Sequence, residues 1–293
     1  MNQQAHKFGF SSLPRAARAA LQWRLLLLWA LFLLVPTVIL TMPMWQILGA
    51  GLDNSVHAAR LAQELDLGAI ADLMGQSGKH SASFNNAGML AVVFTLLLSP
   101  LLSGMVISAA RAETTLGFGD LIGGGVREYA RMFRSLVWAF VPLGIALGLG
   151  SAVMEVASKY GEKAITASEA ETAGMLGMLV MALLFAIAHA TVDAGRAALA
   201  IERRRSSAVK AWWSGFKMLL KRPVATLGSY LLISVLGLAL AALLTLVRIN
   251  LPFMGMASFI GGIVLTLLVV VAIAWMRSAR LFAMIDLAKS MRP

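Results

Sequence analysis

Long apolar runs separated by short polar stretches organise this chain. Residues 25–43, 88–110, 135–157, 174–195, 224–247 and 255–277 are each apolar over about the 20 residues that a helix needs to cross a hydrocarbon core of roughly 30 Å. The pattern predicts an all-α, polytopic membrane helical bundle of about six transmembrane helices, one membrane domain over 1–293, with the rest serving as connections or interfacial elements. The first run follows Arg15, Arg18 and Arg24, as an export signal would. It continues past Pro36 to Met42 with no small-residue cleavage site close behind, so it is read as a retained span.

The connections carry their own periodicity. Between residues 44 and 86, Val56, Leu61, Leu65, Ile70, Leu73 and Met74 fall on one helical face, with Arg60, Glu64, Asp66 and Asp72 elsewhere, which predicts one or two short helices capping the bundle or lying on the membrane. The loop over 155–172 is shorter and acidic, and the one at 250–253 is a tight turn at Pro252. On the opposite side, Val209, Trp212, Trp213, Phe216, Leu219 and Leu220 oppose Lys210, Ser214, Lys217 and Lys221, the pattern of a helix lying among headgroups. Weaker versions precede the third span (Val126, Tyr129 and Phe133 against Arg127, Arg131 and Arg134) and the first (Leu13, Ala17, Ala20 and Leu21 against Arg15, Arg18 and Gln22). The even-numbered spans end in Arg111, Arg196 and Arg280. Interfacial helix, span, outer loop, span and arginine thus describe a hairpin used three times, over 8–111, 118–196 and 206–280, with Gly9-Phe10 echoed by Gly117-Phe118.

Composition sharpens this picture. Only 13% of the 293 residues are charged and mean hydropathy is +0.80, far from the roughly 25% charged residues of a soluble domain. The absence of cysteine excludes disulfides, thiolate metal sites and lipid anchoring through cysteine. Net charge is +11, which in a soluble chain would suggest nucleic acid. Here the cations hug the span ends instead of forming a separate domain. With both termini on one side, the other side keeps only Arg60, Lys79, Lys159, Lys163 and Arg248 of the Lys and Arg residues. The positive-inside rule then predicts cytoplasmic N- and C-termini in a bacterial inner membrane. Membrane phospholipids, preferentially anionic, are the expected partners, and no nucleic acid is expected.

Polar groups inside a span are expensive, so they mark places to look for function. His189, Asp193 and Arg196 are spaced four and then three apart on one face of the fourth span. Ala182, Ala186 and Ala190 share that face, and this small-residue spacing predicts that it packs on protein, within one chain or in a homo-oligomer or with a protein partner. A carboxylate, an imidazole and a fixed cation suit a proton or ion relay or a grip on a lipid headgroup; the plainer expectation is that Asp193 pairs with Arg196 or Arg111 and that His189 hydrogen-bonds a neighbouring helix. Lys210, Trp212, Trp213, Lys217, Lys221, Arg127, Arg131 and Arg134 are the candidate lipid-headgroup contacts. Catalytic signals are missing: His6, His57, His80 and His189 are scattered, no HExxH spacing or GxSxG elbow occurs, and the stretch Gly117–Gly125 lacks the Lys-Ser/Thr of a phosphate loop. That stretch reads as a flexible turn before an interfacial helix. No metal or cofactor is expected, and the outer group Asp53, His57 and His80 would be the place for an enzyme's site. Pro36, Pro100 and Pro142 lie within spans and read as static features of membrane helices, with a hinge as the functional alternative.

Asp193-Ala-Gly-Arg196, the basic stretch after it, and Ala208–Arg222 running through Lys221-Arg222-Pro223 resemble a loose group of uncharacterised six-span bacterial inner-membrane proteins, distantly like the membrane regions fused to some glycerophosphodiester phosphodiesterases. The resemblance covers mainly the second half. It implies a helical bundle with interfacial helices and a role near lipids, and brings no catalytic residue with it. The sequence leads to a non-enzymatic lipid-associated organiser, lipid handler or membrane-complex component. The alternative is a secondary transporter or permease subunit working through His189, Asp193 and Arg196.

Overall fold

Each apolar run folds as a helix longer than the run itself. The computed structural model describes residues 13–52, 81–204, 206–251 and 255–291. Among these the chain is helical with no strand, in the order α1 (Leu13–Ala19), α2 (Trp23–Leu52), α3 (Ser81–Arg111), α4 (Phe118–Gly161), α5 (Ala167–Ile201), α6 (Ala208–Lys221), α7 (Pro223–Ile249) and α8 (Gly255–Ser290). Six of them, α2, α3, α4, α5, α7 and α8, are long and apolar enough to cross a membrane, so the fold is all-α and polytopic. Pro36, Pro100 and Pro142 sit inside continuous helices.

Local chemistry sets the breaks. α5 starts at Thr166, whose hydroxyl accepts from Glu169 N at 3.3 Å, satisfying one of the orphan amides of a first turn. α6 starts at Ser207, which accepts from Lys210 N at 3.4 Å. It stops at Arg222 because Pro223 has no amide proton to continue the ladder and is well suited to open α7. No such punctuation separates residues 118–134 from the third span. Instead of an interfacial helix followed by a span, α4 runs unbroken for 44 residues.

The glycines at its start are likewise helical and do not form a turn. A Cβ on Gly125 would lie 2.8 Å from Met105 Cγ and 2.9 Å from Leu101 O, so glycine there lets α4 close onto the backbone of α3.

The described residues fall into two compact units. One gathers the segment up to Gln22, Pro100–Leu238, and Trp275 onward; the other gathers Trp23–Ser99 and Ala239–Ala274. In the first, α6 lies on α5 at a glycine crossing: a Cβ on Gly215 would stand 2.5 Å from Gly195 N and 2.7 Å from Thr191 O. Trp212 Nε1 pins the same contact by donating to Thr191 Oγ1 at 2.9 Å, and Trp275 Nε1 ties α8 to α1 by donating to Ala17 O at 2.9 Å. In the second unit, Arg248 Nε donates to Thr266 Oγ1 at 2.7 Å, and Leu31, Val38, Met89, Val92, Leu243 and Ile260 are exposed. Apolar side chains turned outward on this scale suit a hydrocarbon solvent, since water tolerates only limited apolar patches.

Candidate functional site

The fourth apolar run does bring its polar residues together. His189, Asp193 and Arg196 occupy one face near the end of α5, and all three are largely enclosed, with Asp193 only 5% exposed. Asp193 Oδ1 accepts from Arg196 Nη1 at 3.0 Å. The alanine stripe beside them is enclosed at one end only: Ala190 is buried, Ala186 half-buried and Ala182 exposed. The packed region is therefore the polar end of the face.

Two further helices complete the cluster. From α8, Arg280 brings Nε to 3.6 Å from Asp193 Oδ2 and donates through Nη1 to Ser234 Oγ of α7 at 3.1 Å. Its guanidinium lies over the ring of Tyr230, 4.8 Å from the centroid, within the range of a cation–π contact. His189 Nδ1 stands 3.5 Å from Asp193 Oδ2, and its ring packs between Phe185 and Tyr230. Arg277 lies in the electrostatic range of Asp193, Arg196 and Arg280. The spacing of His189, Asp193 and Arg196 marks the core of the site. Tyr230, Ser234 and Arg277 join it across helices, and Arg280 pairs with the acid of another repeat unit.

A second buried cluster takes up Arg111, which pairs with Glu128 and not with Asp193. Glu128, in the arginine-rich start of α4, accepts from Arg111 Nη1 and Arg131 Nη1, each at 2.5 Å. Arg111 Nε donates to Ala200 O at 2.6 Å and its Nη2 to Leu199 O at 3.1 Å. Arg131 Nη2 donates to Leu199 O at 2.9 Å and Glu202 O at 2.7 Å. Two arginines thus cap the last carbonyls of α5, groups that no intrahelical amide can satisfy.

The candidate headgroup contacts divide accordingly. Lys210, Trp213, Lys217, Lys221, Arg127 and Arg134 are exposed. Arg131 is not available, because its guanidinium is enclosed in the Glu128 clamp. Trp212 is half-buried and its indole points to Thr191, since the small residues Ala211 and Gly215 turn this side of α6 toward α5. A cleft of about 210 Å³ opens beside α6, with Lys217, Lys221, Ser214 and Glu202 among apolar walls that include Ala198 and Met291. The group Asp53, His57 and His80, the expected helices over 56–74 and the repeat motif at Gly9-Phe10 lie outside the described residues. Among the described residues, no three His, Asp or Glu side chains gather as a metal site would require. Comparison with family models, with curated proteins and with solved structures gave no match.

Proposed function

We propose that this polytopic chain is a non-enzymatic, lipid-associated protein of a bacterial inner membrane, organising or handling phospholipids or serving as the membrane component of a larger assembly, with both termini in the cytoplasm. The observation that carries this reading is α6. Its small face is fixed to α5 at the Gly215 crossing, while Lys210, Lys217 and Lys221 stay exposed beside exposed Val209, Trp213 and Leu220. Cations and apolar side chains projecting together from a short helix fit the boundary between headgroups and acyl chains. Each basic residue there adds about 1 kcal/mol of attraction to an anionic leaflet. The transporter reading has less support, because a relay needs a water path and Asp193 is 5% exposed.

The test is lipid selectivity. The full chain is extracted from bilayers of mixed phosphatidylglycerol and phosphatidylethanolamine, and retained lipid is identified by native mass spectrometry. Phosphatidylglycerol is expected to be enriched over its bulk fraction, and a K210Q/K217Q/K221Q variant is expected to lose several-fold of that enrichment, each charge being worth about 1 kcal/mol. Wild-type protein retaining lipids in bulk proportion would remove the basis of the reading.

A further inference from the structure

Two of the lysines that α6 exposes open onto a cleft, and the third does not. Lys217 and Lys221, one helical turn apart, line the space of about 210 Å³ that α6 forms with the ends of α5 and α8, whereas Lys210 is not among its walls. Lys217 Nζ lies 5.8 Å from the centroid of the Trp213 ring, within the range of a cation–π contact. Ser214 adds a hydroxyl, anchored by donating to Lys210 O at 3.0 Å. Glu202, at the end of α5, contributes a carboxylate to the lining, and its backbone carbonyl accepts from Arg131 Nη2 at 2.7 Å. That bond ties this lip of the cleft to the Glu128 clamp.

Charge, size and depth narrow the occupant. Among the described residues neither lysine is paired with a carboxylate. Two ammonium groups against one carboxylate leave the lining with a single positive charge, which one phosphodiester balances. The volume corresponds to about seven waters at roughly 30 Å³ each, room for a polar headgroup and not for acyl chains. Lys221 stands directly before Arg222-Pro223 and the apolar run 224–247, and Glu202 follows the run 174–195, so the cleft sits at span ends, the level of the lipid headgroups. Leu220 and Val224, both exposed, flank Lys221 in the chain and offer acyl chains an apolar surface.

We infer that this cleft is a discrete site for one anionic phospholipid, its phosphodiester held by Lys217 and Lys221 and the hydroxyls of a glycerol headgroup donating to Glu202. The inference rests on the lipid-associated reading and goes beyond it: that reading needs only a basic surface, whereas the site needs these two lysines and the open space beside them.

The test uses the full chain, delipidated in a neutral detergent, where no charged leaflet contributes. It is titrated with dioctanoyl phosphatidylglycerol, and binding of the first lipid is read by native mass spectrometry. One lipid is expected to bind saturably. K217Q/K221Q should raise its half-saturating concentration tenfold or more, at about fivefold for each lysine, and K210Q should change it less than twofold. A198M, which keeps every charge and fills the cleft from the α5 side, should weaken binding as K217Q/K221Q does and serves as the second variant. Dioctanoyl phosphatidylethanolamine, which has no net charge, should bind at least fivefold more weakly, and millimolar inorganic phosphate should not displace the bound lipid. Equal effects of K210Q and of K217Q or K221Q overturn the cleft, as do equal affinities for the two lipids or a first lipid that never saturates. If the wild type still enriches phosphatidylglycerol from bilayers in those cases, the lipid-associated reading stands without the site. Lysine-dependent displacement by inorganic phosphate overturns the assignment to a lipid and gives the cleft to a free anion.

Discussion

The two buried ionic clusters are built from the same parts and finished differently. Both join an arginine near the end of a span to an acid on another helix: Arg111 with Glu128, and Arg280 with Asp193. In the first, all three nitrogens of Arg111 donate, to Glu128, Leu199 O and Ala200 O. In the second, Arg196 Nε, Arg280 Nε and His189 Nδ1 have no hydrogen-bond partner among the described residues, and Arg280 Nε and His189 Nδ1 face Asp193 Oδ2 at 3.6 and 3.5 Å as ion-pair contacts. Each Arg111 nitrogen has an acceptor, so the first cluster has a structural task. The second leans on ion pairing to one carboxylate, with fewer directed hydrogen bonds. The contrast teaches that the arginine ending a span marks neither role; the number of acceptors around it does.

The largest effect expected from breaking this contrast is at Glu128. Glu128→Gln leaves Arg111 and Arg131 facing each other without a counter-charge, and removing one partner from a buried ionic group costs about 3–5 kcal/mol. The variant should therefore unfold in detergent at a markedly lower temperature than the wild type. A melting temperature equal to that of the wild type would show that the carbonyls of α5 hold the arginines unaided.

Asp193→Asn should cost less, about 1–3 kcal/mol, the range for donors left unsatisfied, read as a smaller fall in the melting temperature than in Glu128→Gln. Equal losses in the two variants would erase the distinction between the clusters.

The smallest effect is expected beside the second cluster. Thr191→Val removes the acceptor of Trp212 Nε1 and should cost about 1 kcal/mol, together with a red shift in tryptophan emission as that indole loses its enclosed partner. Unchanged emission and stability would mean that the glycine crossing alone fixes α6.

Much of this was legible in the residues, and the exceptions share a cause. The positions of the spans follow from run length, and one face of α5 follows from spacing. The punctuation at Pro223 separates α6 from α7, but continuity of α4 across 118–134 had no positive mark, since a helix simply persists where nothing stops it. Glu128 was obscured by the arginines around it, whose periodicity suggested a headgroup-facing surface. Trp212 belongs to an apolar face by spacing, but Ala211 and Gly215 offer a closer approach, and contact area decided which side of α6 turned inward.

The sequence by itself determined that the chain is membrane-spanning, that it is helical, how many crossings it has the length to make, and that His189, Asp193 and Arg196 share a face. These follow from local composition and helical period, which act within a few residues. Only the tertiary structure decided that Arg280, Tyr230 and Ser234 meet Asp193, that Arg131 is enclosed while Arg127 and Arg134 are exposed, and which donors are left without acceptors. Pairing across helices depends on how close two backbones can come, and that is set jointly by residues far apart in the chain.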